Sequence, residues 1–164
     1  MKHILIFVLI ISALKQGDLQ AQTAYSSNQS QELNNLPKSF LIGEYEQPYE
    51  QLINNYNQLL LTVCNNDMPR AYDIWAKVLS DMEDYSKQMN FNLNGLKLWM
   101  NMFFNADGTI QHIVYFPKPN SRNMQFEQLT AFLTSFCKYY NQKVPVAVKC
   151  SHYGSASFPI FDKR

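Results

Sequence analysis

Four residues near the carboxyl end of the chain carry side chains from which a nucleophile and a base could be assembled: Cys150, His152, Ser155 and Ser157. A cysteine nucleophile needs a neighbouring base and an electropositive setting that lowers the pKa of its thiol. Cys150 and His152 would share one face of a strand, because side chains alternate. The run Gly154–Ser157 lacks the second glycine of a nucleophile elbow. A small hydrolase or thiol enzyme is therefore an alternative, and no catalytic residue is assigned.

Metal and cofactor chemistry has little support in the sequence. No cysteine or carboxylate lies at zinc-ligand spacing from His112 or His152, and the topology derived below puts these two histidines at opposite ends of the sheet. The chain has neither a phosphate-binding loop nor a dinucleotide fingerprint. We therefore predict no metal and no cofactor.

Three cysteines, Cys64, Cys137 and Cys150, leave at least one thiol without an intramolecular partner. Cys137 precedes the end of a predicted helix, whereas Cys150 lies well along the returning strand. Their offset exceeds the limit of about 7 Å between the Cα atoms of a disulfide. A Cys137–Cys150 bridge is disfavoured, the pairing of Cys64 stays open, and three buried thiols are the simplest arrangement.

The first 22 residues have the pattern of a secretory signal peptide. Lys2 and His3 form a short positive region, and Ile4–Leu14 is apolar but too short to span a bilayer. Cleavage is expected after Ala21 or Gln22. The pattern predicts a bacterial protein that is periplasmic or secreted, without stable membrane insertion after cleavage. Residues 23–38 are rich in Ser, Asn and Gln and are predicted to form a flexible lead-in.

The charge balance of the mature chain is close to zero. The sequence has 14 Lys and Arg against 13 Asp and Glu, and removal of Lys2, Lys15 and Asp18 leaves 12 of each (14 − 2 and 13 − 1). A neutral surface offers no footprint for nucleic acid or an anionic membrane. We therefore expect the partner to be a protein or peptide of the cell envelope.

The stretch Lys97–Pro117 is predicted to be a β-hairpin. Asn105–Gly108 supplies the turn, with Gly108 left-handed, between two alternating apolar runs. The predicted register pairs Met102 with His112. The even-numbered residues then face the core: Leu98, Met100, Met102, Phe104, Ile110, His112, Val114 and Phe116.

Helical periodicity predicts a first helix from Pro48 to Val63 and a second from Met68 to Asn90, joined by Asn65–Asp67, which also caps the second. A third helix follows Asn123, which is predicted to cap it. A last strand is expected over Lys143–Tyr153, at a sheet edge because Pro145 lacks an amide donor.

These elements predict an α+β fold with one domain over residues 39–164. It consists of a two-helix antiparallel hairpin followed by a ββαβ unit. The sheet would be three-stranded and all antiparallel, with order 2-1-3. Residues 39–46 would dock as a short extended piece.

The hairpin with its Asp107-Gly108 turn, the third helix and the last strand resemble the carboxy-terminal domain of TonB-type periplasmic proteins, over about residues 96–161. That resemblance implies that an extended peptide is bound as an added strand, here along Val146–Tyr153. The chain departs from the family in lacking an uncleaved anchor and a Pro-rich spacer, and in carrying two extra amino-terminal helices. Energy transduction is therefore not carried over.

The leading functional hypothesis is a non-catalytic exported binding or interaction module. An aromatic odd face of the sheet and the adjoining strand would be the contact surface: Trp99, Phe103, Ile113, Tyr115, Val148 and Tyr153. Alternatively, the first two helices cover this face and make it a second core. A structural envelope protein that self-associates through a sheet edge is a further alternative.

Overall fold

The computed structural model describes residues 35–160. They form an α+β unit in which the four strands make one sheet and the helices pack against it. The predicted signal peptide and residues 23–34 of the predicted lead-in lie outside the described part. The strands are β1 (Ser39–Leu41), β2 (Lys97–Phe104), β3 (Ile110–Pro117) and β4 (Cys150–Ser157), and the helices are α1 (Glu46–Asn55), α2 (Leu60–Val63), α3 (Met68–Gln88) and α4 (Phe126–Tyr139). The predicted α+β class is confirmed.

The strand order is β1-β3-β2-β4, with β2 antiparallel to both neighbours. The predicted order 2-1-3 is confirmed as β3-β2-β4, with both pairings antiparallel. The predicted number of strands is wrong, because β1 joins as a fourth strand parallel to β3, with Phe40 opposite Val114. By pairing with β3, the segment Ser39–Leu41 buries the Phe40 side chain. β1 and β4 are therefore the two edges.

The turn between β2 and β3 forms where expected, with a hydrogen bond of 2.9 Å from the Asn105 amide to the Thr109 carbonyl oxygen and a φ of +81° at Gly108. The register beyond it was predicted wrongly. Phe104 pairs with Ile110, but a bulge between Phe103 and Phe104 makes Phe103 the partner of His112. A shift of one residue moves every later side chain of β3 to the opposite face.

The two faces of the sheet are covered differently. The main face carries the hydrophobic core, formed with α3 and α4, and includes Met100, Met102, Ile113 and Tyr115. On the second face, the rings of Tyr49 and Tyr56 pack edge-on against Phe103 at centroid distances of 6.3 and 5.5 Å. α1 therefore covers one end of the second face and leaves the other end open.

The predicted first helix is not continuous, so the two-helix hairpin is not formed as predicted. α1 ends at Asn55, and the next residues serve tertiary contacts: the Tyr56 hydroxyl donates to Asn105 Oδ1 at 2.7 Å, and the Gln58 carbonyl oxygen accepts from the Ser151 amide at 2.8 Å. A long-range bridge thus replaces local helical hydrogen bonds.

The predicted amino-terminal cap is observed at α3 but not at α4. Asp67 caps α3 by accepting a hydrogen bond from the Arg70 amide at 3.0 Å. α4 begins at Phe126 with Gln125 at the capping position and no side-chain cap, so the prediction that Asn123 caps it is wrong.

The last strand also starts later than predicted. β4 is Cys150–Ser157, so the run Gly154–Ser157 is extended strand. The segment before it is held at the hairpin turn instead, where the Val144 amide donates to the Gly108 carbonyl oxygen at 2.9 Å. Pro145 therefore lies before the edge strand rather than within it.

Candidate functional site

The open end of the second face carries an aromatic patch, which we define as Trp99, Phe116, Tyr153 and Lys118. The three aromatic residues are 38%, 48% and 56% exposed, respectively. Trp99 lies directly opposite Phe116 on β3, and its ring is stacked with that of Tyr153 at 5.9 Å between centroids. Exposed aromatic side chains gathered in this way are typical of a protein contact surface.

Lys118 completes the patch from the end of β3. Its Nζ atom lies 4.0 Å from the centroid of the Trp99 ring and donates a hydrogen bond of 2.6 Å to Ser155 Oγ on β4. The lysine side chain therefore crosses β2 and places its ammonium group over the edge strand. A cation over an indole face is favourable, which keeps the ammonium group in this position.

The structure separates the six predicted contact residues. Trp99 and Tyr153 are on the surface, and Val148 is exposed but precedes β4. Phe103 is fully buried under α1, whereas Ile113 and Tyr115 lie in the core of the opposite face because of the bulge. Those last three side chains therefore form no part of the exposed surface in this structure.

Phe116 and Lys118 are the members of the patch that sequence reasoning missed. Phe116 was placed in the core by the alternation of the hairpin, and the bulge reverses its direction. No residue type in β3 marks the bulge in advance. Lys118 follows a proline, and only the proximity of β4 reveals its role.

The free edge of β4 is partly closed at its beginning. The Ser151 amide points away from β2, since it donates to Gln58, and Leu59 forms a parallel bridge with Ser151. Amides alternate in direction along an antiparallel strand, so those of Tyr153 and Ser155 also point outward. Within residues 35–160 no backbone acceptor meets these two amides.

A small cavity runs along this edge between β4 and α3. Its volume is about 190 Å³, and mostly apolar residues line it: Tyr72, Trp75, Ala76, Leu79, Ser155, Ser157, Pro159 and Ile160. The cavity lies on the main-face side, so the edge separates it from the aromatic patch. A chain added along β4 would contact both.

Trp75 fixes the edge strand against α3. Its Nε1 atom donates to the Ser155 carbonyl oxygen at 3.4 Å, and its ring packs so closely on Gly154 that an added Cβ there would lie 2.9 Å from Trp75 Cε2. Only glycine permits this approach. The Trp75 indole therefore occupies the outward carbonyl oxygen of Ser155, whereas the Ser155 amide has no backbone partner within residues 35–160.

The candidate nucleophiles and the candidate base are not brought together productively. His152 lies on the main face with its ring 4.6 Å from that of Trp75, and burial lowers its pKa. Ser155 and Ser157 lie on the second face, on the other side of the sheet. Cys150 shares the face of His152, but burial raises the pKa of its thiol to about 11, which disfavours the thiolate.

The other cysteines and His112 are buried in the protein interior. All three cysteines are buried with free thiols, and burial raises the pKa of Cys137 to about 12. Burial also lowers the pKa of His112, whose Nδ1 atom lies 2.9 Å from the Pro37 carbonyl oxygen. Among residues 35–160, no three His, Cys, Asp or Glu side chains are grouped to hold a metal ion.

A larger cavity of about 710 Å³ lies between the carboxyl ends of α3 and α4. Both carboxylates in its lining are already paired, since Asp84 lies 2.9 Å from Lys87 Nζ and Asp81 also has a lysine partner. Asp81 pairs with Lys77 and accepts a hydrogen bond from the Tyr140 hydroxyl at 3.3 Å, while the Tyr85 hydroxyl lies 2.6 Å from Ser135 Oγ. This cavity therefore offers no charged group that awaits a ligand.

Comparison with protein-family models, with curated proteins and with solved structures found no match to this chain. In the described part of the chain, no helix is both long enough and apolar enough to cross a membrane.

Proposed function

We propose that this chain is an exported, non-catalytic binding module that captures an extended segment of a protein in the bacterial envelope. The bound segment adds to the sheet as a strand along Tyr153–Ser157 of β4. The observation that carries the proposal is the pair of outward amides at Tyr153 and Ser155, flanked by the aromatic patch on one side and the α3 cavity on the other.

The two sheet edges differ in a way that supports this proposal. Proteins protect edge strands by making them short or by placing Lys, Pro or a bulge in them. β1 has three residues and follows Pro37 and Lys38, so it is protected. β4 has eight residues without a charge or a proline. Leu59 pairs with its beginning and Trp75 bonds the Ser155 carbonyl oxygen, but the outward amides of Tyr153 and Ser155 have no backbone acceptor within residues 35–160. An edge left open next to aromatic side chains suits strand addition.

The mode of binding is the one implied by the resemblance to TonB-type domains, with a different acceptor. The sequence pointed to Val146–Tyr153, whereas the later start of β4 moves the proposed acceptor to Tyr153–Ser157. Export to the periplasm or the medium remains part of the proposal and depends on the signal-peptide pattern in residues 1–22.

The edge can be tested without disturbing the fold. Proline is tolerated at an edge position whose amide faces solvent, so Ser155→Pro should fold while losing one outward donor. Ser155→Ala is the matched control, because it retains the amide and, like proline, lacks the hydroxyl group that accepts from Lys118. Protein expressed from the full-length chain is used to select peptides from a displayed random library, with the Ser155→Pro variant as the counter-target.

The proposal predicts peptides that bind the wild type and Ser155→Ala but not Ser155→Pro, as measured by fluorescence anisotropy. Two methylated forms of a selected peptide should differ: methylation of the backbone nitrogens that point toward β4 should abolish binding, whereas methylation of those that point away from β4 should not. Failure of selection, or equal binding to the proline variant, would overturn strand addition. Self-association that Ser155→Pro abolishes would instead favour a structural envelope protein.

A further inference from the structure

Among the described residues, the second-face lysines at the edge lack carboxylate partners. Lys118 contacts the Trp99 ring and Ser155 Oγ, and it forms no ion pair within residues 35–160. Lys97, at the start of β2, is exposed and lies opposite Ser157. The strands β2, β3 and β4 contain no aspartate or glutamate at all. The sheet therefore presents positive charge beside its open edge.

The side chains of an added strand would alternate between two different environments. Those on the second face would lie beside Tyr153, Ser155 and Ser157, all of which point to that face. Those on the main face would point toward the cavity along α3. Adjacent residues of the bound segment are therefore selected by different surfaces.

The cavity favours an aliphatic side chain. Its volume of about 190 Å³ suits one medium-sized side chain, and Trp75, Ala76 and Leu79 supply an apolar wall. Burial of such a side chain is favourable in proportion to the apolar area removed from water. The position opposite Ala156 is the one that would enter it.

The neighbouring position favours a carboxylate. A second-face side chain opposite Ser155 would approach the Lys118 ammonium group, which is held over β4 by Ser155 Oγ and by the Trp99 ring. One opposite Ser157 would approach Lys97. An ammonium group restrained in this way loses little side-chain freedom when it meets an anion, so the contact is worth more than an ordinary exposed pair.

We propose that the bound segment carries an aliphatic residue directly adjacent to an acidic residue, with the aliphatic side chain in the α3 cavity and the carboxylate on Lys118. The proposal rests on the proposed function, and it specifies the chemistry of the peptide. Lys118 acts here as the residue that determines specificity.

Three labelled peptides of matched length test the preference: GSTVELEVTSG, GSTVQLQVTSG and GSTVKLKVTSG. Their central residues alternate in the same way, and the pattern is symmetric, so the direction of binding does not matter. Fluorescence anisotropy with protein expressed from the full-length chain should show the acidic peptide binding about ten-fold more tightly than the basic one, with the neutral peptide between them. The acidic preference should weaken with added salt.

Two substitutions locate the preference. Lys118→Gln should bring the acidic peptide close to the neutral one, and Lys118→Glu should make the basic peptide the tighter ligand. Lys138→Gln is the control, since it removes the same charge from the exposed end of α4. It should leave the order of the three peptides unchanged.

The outcomes separate the two proposals. Equal binding of all three peptides, abolished by Ser155→Pro, would overturn the acidic preference and leave the edge as the binding site. An acidic preference that survives Lys118→Glu would also overturn it. No binding of any peptide would overturn both proposals.

Discussion

The Lys118 ammonium group lies 4.0 Å from the centroid of the Trp99 ring and reaches Ser155 Oγ on the strand beyond. The contact joins the end of β3, the first part of β2 and the edge strand β4. It gives the open sheet face a cation and an aromatic surface side by side. Both are positioned by the fold itself, so the binding that we propose would require little ordering of these side chains.

The exposure of the two tryptophans should differ in solution. Trp99 is 38% exposed, whereas Trp75 is 6% exposed beneath β4. We expect iodide to quench the fluorescence of a Trp75→Phe variant, in which Trp99 remains, much more strongly than that of a Trp99→Phe variant. Equal and weak quenching of both variants would contradict an open patch.

Truncation on the second face should separate its covered end from its open end. Phe103 is fully buried under Tyr49 and Tyr56, so Phe103→Ala should lower the free energy of unfolding by about 3–5 kcal/mol. Phe116 is 48% exposed, and Phe116→Ala should cost less than about 1 kcal/mol. Chemical denaturation measures both values, and similar losses would show that the patch is a second core.

The hairpin turn should not tolerate a side chain at Gly108. Its φ is +81°, and an added Cβ would collide with the Val144 carbonyl oxygen. Gly108→Ala should therefore lower the free energy of unfolding by about 2–4 kcal/mol, from backbone strain and the clash together. Gly43→Ala is the control, since Gly43 also has a positive φ but no atom within 4 Å of an added Cβ. A larger loss at Gly43 would contradict this account.

Stability should fall on mild acidification. Burial lowers the pKa of both His112 and His152, so the folded protein binds fewer protons than the unfolded chain near pH 6. The free energy of unfolding should therefore decrease as the pH falls through about 6.5, by about 1.4 kcal/mol for each pKa unit of depression.

Guanidinium denaturation at about pH 7.5 and about pH 5 tests this dependence in a range where carboxylates remain charged. A double variant, His112→Gln with His152→Gln, should lose most of the difference between the two conditions. Retention of the full difference in that variant would assign the dependence to other groups.

The local features of the fold could be predicted from the sequence. The Asp67 cap and the long apolar stripe of α3 follow from helical spacing, and the turn at Asn105–Gly108 follows from its residue types. Each of these depends on interactions within a few residues, for which side-chain chemistry and backbone geometry suffice.

The site required the tertiary structure. The bulge after Phe103 moves Tyr115 inward and Phe116 outward, and nothing in the alternating pattern marks it. The break after α1 depends on a bridge between Leu59 and Ser151, which are far apart in sequence. Gly154 has no side chain, so the Trp75 ring of α3 packs directly on the backbone of β4 and sets the position of this strand against α3.

The sequence by itself therefore determined the class of the fold, most of its elements and the aromatic character of the sheet. Only the tertiary structure decided which aromatic side chains stay in water and which edge remains open. The physical reason is that the local sequence of a strand does not specify which of its two faces will be buried or which of its two edges will be paired. Pairing with distant segments such as β1 and the residues around Leu59 chooses between them.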